Sequence, residues 1–151
     1  MKSKIAIILI IILVIIQFIH PQKNQNTEVL SSDITKITTV PDDVLQTLKT
    51  ACYDCHSNNT IYPWYNNIQP VAWWLQKHIN NGKRELNFSE FGTYNTTRMS
   101  KKMKGIVHEI EEGDMPLKSY TLIHKNAILS DVQKKAVTDW AKNATFVQAV
   151  H

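Results

Sequence analysis

A chain of 151 residues with 43% apolar residues is long enough for one globular domain and a terminal appendage. The formal net charge is only +4, from 17 Lys and Arg against 13 Asp and Glu, and no dense basic block is interleaved with aromatic residues. Nucleic-acid binding is therefore not expected. Four glycines and five prolines are also too few for a low-complexity chain.

The N-terminal stretch reads as a targeting element. Lys2 and Lys4 precede an apolar run from Ile5 to Ile16, which Phe18 and Ile19 extend. As a helix the run would be about 22 Å long, shorter than a hydrocarbon core of about 30 Å, but no small-residue cleavage site follows it. We predict that residues 1–20 form an uncleaved anchor in the cytoplasmic membrane, with the remaining chain in the periplasm. A cleaved signal peptide, which would leave a free periplasmic protein, stays open.

The next 20 residues are polar, and we predict a linker at 21–40 and a folded domain at 41–145. Pro41 and the two aspartates after it favour a helix start. Apolar residues at helical spacing then predict a helix from Asp42 to Thr50. This helix leads directly into the two cysteines of the chain.

The stretch Cys52-Tyr53-Asp54-Cys55-His56 holds both cysteines and follows the Cys-x-x-Cys-His pattern that attaches a c-type haem. Two thiols at this spacing can each add to a porphyrin vinyl group, and the adjacent imidazole can coordinate the iron. A redox dithiol would be expected beside a βαβ pattern, and structural zinc commonly needs a second ligand pair; the sequence shows neither. We predict one covalently bound haem c per chain, held by Cys52 and Cys55, with His56 on the iron.

Aromatic residues are dense after this motif. We predict that at least one of Trp64, Trp73 and Trp74 contacts the haem. Wide rings pack well on a porphyrin, and an indole N–H can reach a propionate. A metal-bound histidine usually donates its second ring N–H to a carbonyl, and we expect that carbonyl near Pro63. A helix from Pro70 to Asn80 is predicted to stop at Gly82.

Three further signals complete an all-α prediction. Phe88 and Phe91 are expected to point inward from a loop. A helix is predicted from Thr96 to Glu112, ending at Gly113. Ser130 begins a capping-box pattern that predicts the last helix. Its expected buried face is formed by Val132, Ala136, Val137, Trp140 and Ala141.

The sixth position on the iron has several candidate ligands: Met99, Met103, Met115, His78, His108 and His124. Met99 and Met103 lie on the apolar stripe of their helix and are better explained as core. His78 and His108 lie on helices and are more often ordinary histidines, whereas His124 lies in a loop and remains a rival. Met115 lies between a helix-ending glycine and Pro116, so we predict it as the ligand.

The sequence resembles the small bacterial haem-binding-domain proteins, found largely in Bacteroidetes and related to cytochrome c. The matching stretches include Cys52-Tyr53-Asp54-Cys55-His56-Ser57-Asn58, Tyr62-Pro63-Trp64-Tyr65, Pro70-Val71-Ala72-Trp73-Trp74, Leu86-Asn87-Phe88-Ser89, Gly113-Asp114-Met115-Pro116 and Leu129-Ser130-Asp131. This resemblance implies a small cytochrome-c-like helical domain around a haem.

The expected function is a monohaem c-type cytochrome that transfers single electrons at the periplasmic face of the membrane. It would be a monomeric, non-enzymatic domain that meets redox partner proteins. A haem-based sensor or small-ligand binder is the alternative, in which Met115 leaves the iron. A haem peroxidase would need an open iron and a distal acid or base, and no sequence feature places one there.

Overall fold

The computed structural model, which describes residues 2–146, consists of helices joined by loops. The α-helices are α1 Lys2–Ile16, α2 Ile34–Ile37, α3 Asp42–Ala51, α4 Tyr53–His56, α5 Val71–Glu85, α6 Thr96–Glu112, α7 Lys118–Thr121 and α8 Asp131–Asn143. Short 3₁₀ helices span Trp64–Asn67, Phe88–Thr93 and Lys125–Ala127. Extended pairing within residues 2–146 is limited to one bridge between Gln25 and Asn59. The predicted all-α class is confirmed.

The hydrophobic core lies between α3, α6 and α8. Each helix contributes a stripe at helical spacing, as Met99, Met103 and Ile110 do on α6. Phe88 and Phe91 enter the same core as predicted. The two methionines therefore pack in the core, as predicted.

The last helix begins with the predicted capping box. The Ser130 hydroxyl accepts a hydrogen bond from Gln133 N at 3.3 Å, and the Gln133 side chain accepts one from Ser130 N at 2.9 Å. Val137, Trp140 and Ala141 are buried, and Ala136 is half-buried. Val132 is 79% exposed, so its predicted burial is wrong. It lies in the first turn of α8, which no neighbouring element covers on that side.

The N-terminal helix α1 has 15 residues, and its apolar side chains from Ile5 to Ile15 are exposed. It ends where Gln17 turns to the domain: Gln69 N donates a hydrogen bond to Gln17 Oε1 at 2.9 Å. Among residues 2–146, no helix has both the length and the apolar character needed to cross a bilayer. The predicted membrane anchor, and the location at the periplasmic face of a membrane that depended on it, are therefore wrong.

Part of the segment predicted as a linker is hydrogen-bonded to the domain. Residues 24–26, here called the strap, lie along the loop that follows the motif. Asn26 N donates to the Asn58 carbonyl and Thr60 N donates to the Asn24 carbonyl, both at 2.9 Å. Lys83 on α5 donates to Asn24 Oδ1 at 2.6 Å. The strap therefore joins the N-terminal segment to both α5 and the loop.

Ten residues further on, the same segment enters the core. Ile34 and Ile37 on α2 are buried and belong to the main hydrophobic cluster. Asp33 begins this short helix, since its side chain accepts a hydrogen bond from Thr35 N at 3.0 Å. The boundaries predicted at 21–40 and 41–145 remain a prediction, but the packing of α2 is continuous with that of the domain.

Candidate haem site

The Cys-x-x-Cys-His motif folds as a single helical turn. Helix α3 ends at Ala51, and α4 begins at once, with Cys55 N and His56 N donating to the Cys52 carbonyl at 3.1 Å and 2.9 Å. Residues three and four apart lie on one side of such a turn. Cys52, Cys55 and His56 are thus brought to the same side, where each is half-buried and both cysteines are free thiols.

Both thiols are held in the protonated form. Burial raises the pKa of Cys52 to about 12, with a further contribution from Cys55. Burial, together with the Asp54 carboxylate, raises the pKa of Cys55 to about 11. A redox dithiol needs a lowered thiol pKa to supply the reactive thiolate. The shift here is in the opposite direction, which argues against a thioredoxin-like use of this pair.

His56 is oriented by a backbone carbonyl from α5. Its Nδ1–H donates to the Leu86 carbonyl at 3.0 Å, so Nε2 is the nitrogen left for a metal. Burial lowers the pKa of His56, against the opposing effect of the Leu86 and Gly82 carbonyls, which favours the neutral ligand form. The predicted acceptor near Pro63 is wrong. The C-terminal end of α5 folds back onto the motif, so Leu86 lies closer to the ring.

Helix α5 touches the motif through a glycine. A Cβ atom added at Gly82 would lie 2.5 Å from the Cys55 carbonyl oxygen and 3.0 Å from Cys55 Cβ. The backbones can approach this closely only because Gly82 has no side chain. The sequence-based prediction that Gly82 stops the helix is wrong: α5 continues to Glu85, and Gly82 serves helix packing.

A cavity of about 160 Å³ lies against this turn. It is lined by Ala51, Cys52, Asp54, Cys55, His56, His78, Asn81, Gly82, Glu85, Met115, Pro116, Leu117 and Tyr120. One wall is the motif, the second is the face of α5 from His78 to Glu85, and the third is the segment from Met115 to Tyr120. Cys52, Cys55, His56 and Met115, which are four of the residues predicted from the sequence, therefore share one cavity.

Met115 reaches the cavity through the predicted end of α6. Gly113 has a φ of 78°, the left-handed conformation that commonly follows the last helical residue. The amides of Asp114 and Met115 then both donate to the Glu109 carbonyl, at 3.0 Å and 3.1 Å. These bonds fix the backbone on which the thioether is carried, and Met115 is half-buried.

The three tryptophans do not line this cavity. Trp64 is 76% exposed and Trp73 is 37% exposed, and the Trp73 indole donates to the Ile19 carbonyl at 3.0 Å. Trp74 is 47% exposed and approaches the cavity only through His78, with the ring centroids 4.2 Å apart. The cavity wall begins one helical turn further along α5, and the contact of one of these tryptophans with a haem stays a prediction.

A polar and aromatic cluster closes the cavity beside Asp54. Tyr120 donates to Asp54 Oδ2 at 2.7 Å and stacks on His124, with the ring centroids 4.3 Å apart. His124 Nε2 is hydrogen-bonded to the Tyr65 hydroxyl at 2.8 Å. Burial, and the bond to Asp54, raise the pKa of Tyr120, which stays a donor. His124 faces Tyr65 and does not line the cavity.

From the sequence, Leu86 and Tyr120 receive no role in the site, Gly82 is assigned to a helix end, and His78 is treated as an ordinary helical histidine. His78, Gly82 and Glu85 are spaced as one face of a helix, and that spacing could have indicated a wall if α5 had been extended past Gly82. No local signal connects Leu86 or Tyr120 with the motif, because both contacts join residues at least 30 positions apart.

The donor set in the cavity fits a haem. It combines two protonated thiols, a neutral imidazole with one nitrogen tied to a carbonyl, and a thioether on a fixed loop. The cavity is smaller than the roughly 300–1,000 Å³ of typical ligand pockets, so the fit depends on the donors and not on the volume. A larger cleft of about 490 Å³ beside Trp140 contains no thiol, imidazole or thioether.

Comparisons with known proteins agree with this donor set. No curated protein and no solved structure matches the chain. A family model described as a haem-binding domain matches residues 11–143. Because that match covers most of the chain, including the motif, α5 and the Met115 loop, the protein belongs to the haem-binding domain family.

Proposed function

We propose that the protein is a monohaem c-type cytochrome that transfers single electrons between redox partner proteins. Cys52 and Cys55 would hold the haem covalently, and His56 and Met115 would be the two protein ligands of the iron. The observation that carries the proposal is the convergence of these four side chains on one cavity. They come from the motif and from a loop about 60 residues later in the chain.

The thiols attach the haem without any redox change. Each S–H would add across one vinyl C=C bond, so that a C–S bond forms and the hydrogen goes to the other vinyl carbon. The reaction needs reduced cysteines, and Cys52 and Cys55 are free. Because both side chains extend from one helical turn, a single rigid element would position the porphyrin edge.

The axial residues set the electronic properties of the iron. His56 binds through Nε2 in a fixed orientation, since Leu86 holds its Nδ1–H. Met115 opposite a histidine raises the reduction potential relative to two histidines. A ligand set that stays on the iron in both oxidation states keeps reorganisation small, which suits electron transfer. We therefore propose that the protein is an electron carrier and not an enzyme.

The test is to produce the full chain together with a cytochrome c maturation system. We expect haem to stay with the protein through acid–acetone extraction, at one per chain. We also expect the ferric form to show the weak near-infrared absorption of methionine ligation. Replacing both cysteines (Cys52→Ala with Cys55→Ala) should abolish acid-stable attachment, whereas the surface change His108→Gln should leave it intact.

Two outcomes would contradict the proposal. Haem that is extracted from the unaltered protein would remove the covalent assignment. A reduced protein that binds carbon monoxide rapidly and lacks the methionine absorption would favour the sensor or ligand-binding alternative.

A further inference from the structure

His78 is the residue of the cavity that the proposed function leaves without a role. It lies on α5, one helical turn before Gly82, and therefore on the face of that helix that contacts the motif. It is half-buried and lines the same cavity as His56 and Met115. Helix α5 is packed backbone to backbone on Cys55, so the position of His78 relative to the motif is fixed.

The ring of His78, like that of His56, has its Nδ1–H on a backbone carbonyl, but this carbonyl belongs to the preceding turn of its own helix. Its Nδ1–H donates to the Trp74 carbonyl at 2.8 Å, as the Nδ1–H of His56 donates to Leu86. Metal-binding histidines usually hold their second nitrogen in this way. The Trp74 ring, 4.2 Å away, further limits rotation of the imidazole. His78 therefore has its Nε2 free and its orientation set.

The remaining histidines of residues 2–146 do not share these properties. The Nε2 atom of His124 is engaged by Tyr65. His108 is exposed and lines a different cleft, between α6 and the C-terminal helix. His20 is exposed. Within this part of the chain, His56 and His78 are the two histidines that line the haem cavity.

We infer that His78 is a second donor for the sixth coordination position, in exchange with Met115. The inference rests on the proposed function, since it requires haem with His56 as the fixed ligand. In the exchange the bond from the Met115 sulfur to the iron breaks and a bond from His78 Nε2 forms. No electron is transferred, and the hydrogen on Nδ1 stays in its bond to the Trp74 carbonyl.

The two donors differ in the oxidation state that they favour. A thioether opposite histidine raises the potential and so favours ferrous iron, whereas two histidines lower it and favour ferric iron. His78 is carried by a packed helix, whereas Met115 is carried by a loop. The site would therefore pass from His/Met to His/His ligation when oxidised iron or loss of the loop contact weakens the sulfur bond.

The experiment compares Met115→Ala alone, Met115→Ala with His78→Gln, and the matched control Met115→Ala with His124→Gln. Electron paramagnetic resonance of the ferric proteins and their reduction potentials are measured. We expect Met115→Ala to remain six-coordinate and low-spin with a lower potential. Adding His78→Gln should replace the low-spin signal by a high-spin one, and adding His124→Gln should not.

Each other outcome decides against His78. A high-spin Met115→Ala protein shows that His78 does not reach the iron, while His/Met ligation in the unaltered protein still stands. A low-spin double variant with His78→Gln shows that another group binds. Circular dichroism and acid-stable haem identify any variant that failed to fold or mature. Absence of covalent haem in the unaltered protein would instead refute the proposed function.

Discussion

The parts of the candidate haem cavity that carry His56 and Met115, here called the His56 wall and the Met115 wall, are built in different ways. The His56 wall consists of two helices in backbone contact, with Gly82 of α5 against Cys55 and the Leu86 carbonyl on the imidazole. The Met115 wall is a loop whose first amides donate to the Glu109 carbonyl and whose far end is held by the hydrogen bond from Tyr120 to Asp54. A ligand on the first wall can move only if a helix moves. A ligand on the second can leave by rearranging a few residues, so the two axial positions should differ in how easily they open.

The Gly82→Ala substitution should break the first wall and have the largest effect. The new Cβ would lie 2.5 Å from a carbonyl oxygen, and backbone cannot give way as a flexible side chain can. Overpacking of this kind costs about 1–3 kcal/mol. We expect the free energy of unfolding, measured with urea, to fall by this amount. The yield of acid-stable haem should fall as well.

Gly105→Ala is the matched control for that substitution. Gly105 lies inside α6, and apart from the backbone of its own helix no atom of residues 2–146 lies within 4 Å of an added Cβ. Removing a helix-interior glycine should therefore stabilise the protein by up to about 1 kcal/mol. Equal effects of the two substitutions would show that the contact between α5 and Cys55 does not limit packing.

The Gly113→Ala substitution should weaken the second wall by a smaller amount. The left-handed conformation at φ 78° costs a residue with a Cβ roughly 1–2 kcal/mol. We expect that loss in stability and a weaker near-infrared methionine absorption, with acid-stable haem unchanged. Gly113→Asn should lose less, since asparagine tolerates this conformation. A loss of covalent haem in Gly113→Ala would show that the two walls are not independent.

The Trp64→Ala substitution should have the smallest effect and tests whether the exposed aromatics belong to either wall. Trp64 is 76% exposed, so the free energy of unfolding should change by no more than about 0.5 kcal/mol, and the haem spectrum should be unaltered. The control Trp140→Ala removes a buried core side chain and should cost roughly 3–5 kcal/mol. A shifted haem spectrum in Trp64→Ala would return this residue to the site.

Local signals predicted much of the second wall and of the frame around it. The left-handed Gly113, the capping box at Ser130 and the helix that leads into Cys52 each depend on a few neighbouring residues, and each is found as predicted. The motif itself depends on five consecutive residues. Such features can be inferred from one sequence because the interactions that define them are close along the chain.

The first wall could not be predicted in the same way. A glycine at position 82 is compatible with a helix end and also with close packing against a carbonyl oxygen. Only the contact with Cys55 shows which of the two roles it has. The acceptor for His56 and the place of His78 depend on where α5 folds back. The membrane prediction for residues 1–20 was wrong because it gave the apolar character of the run more weight than its helical length of about 22 Å.

The strap at residues 24–26 has a consequence for the order in which the chain folds. It binds residues 57–60 and Lys83, which lie more than 30 and nearly 60 positions later. Closing such long loops costs entropy before any contact forms, so we expect the strap to dock after α4 and α5 have met. The turn that carries both thiols would then stay accessible during maturation. Faster amide exchange at Asn26 than in α3 would identify the strap as the last part to close.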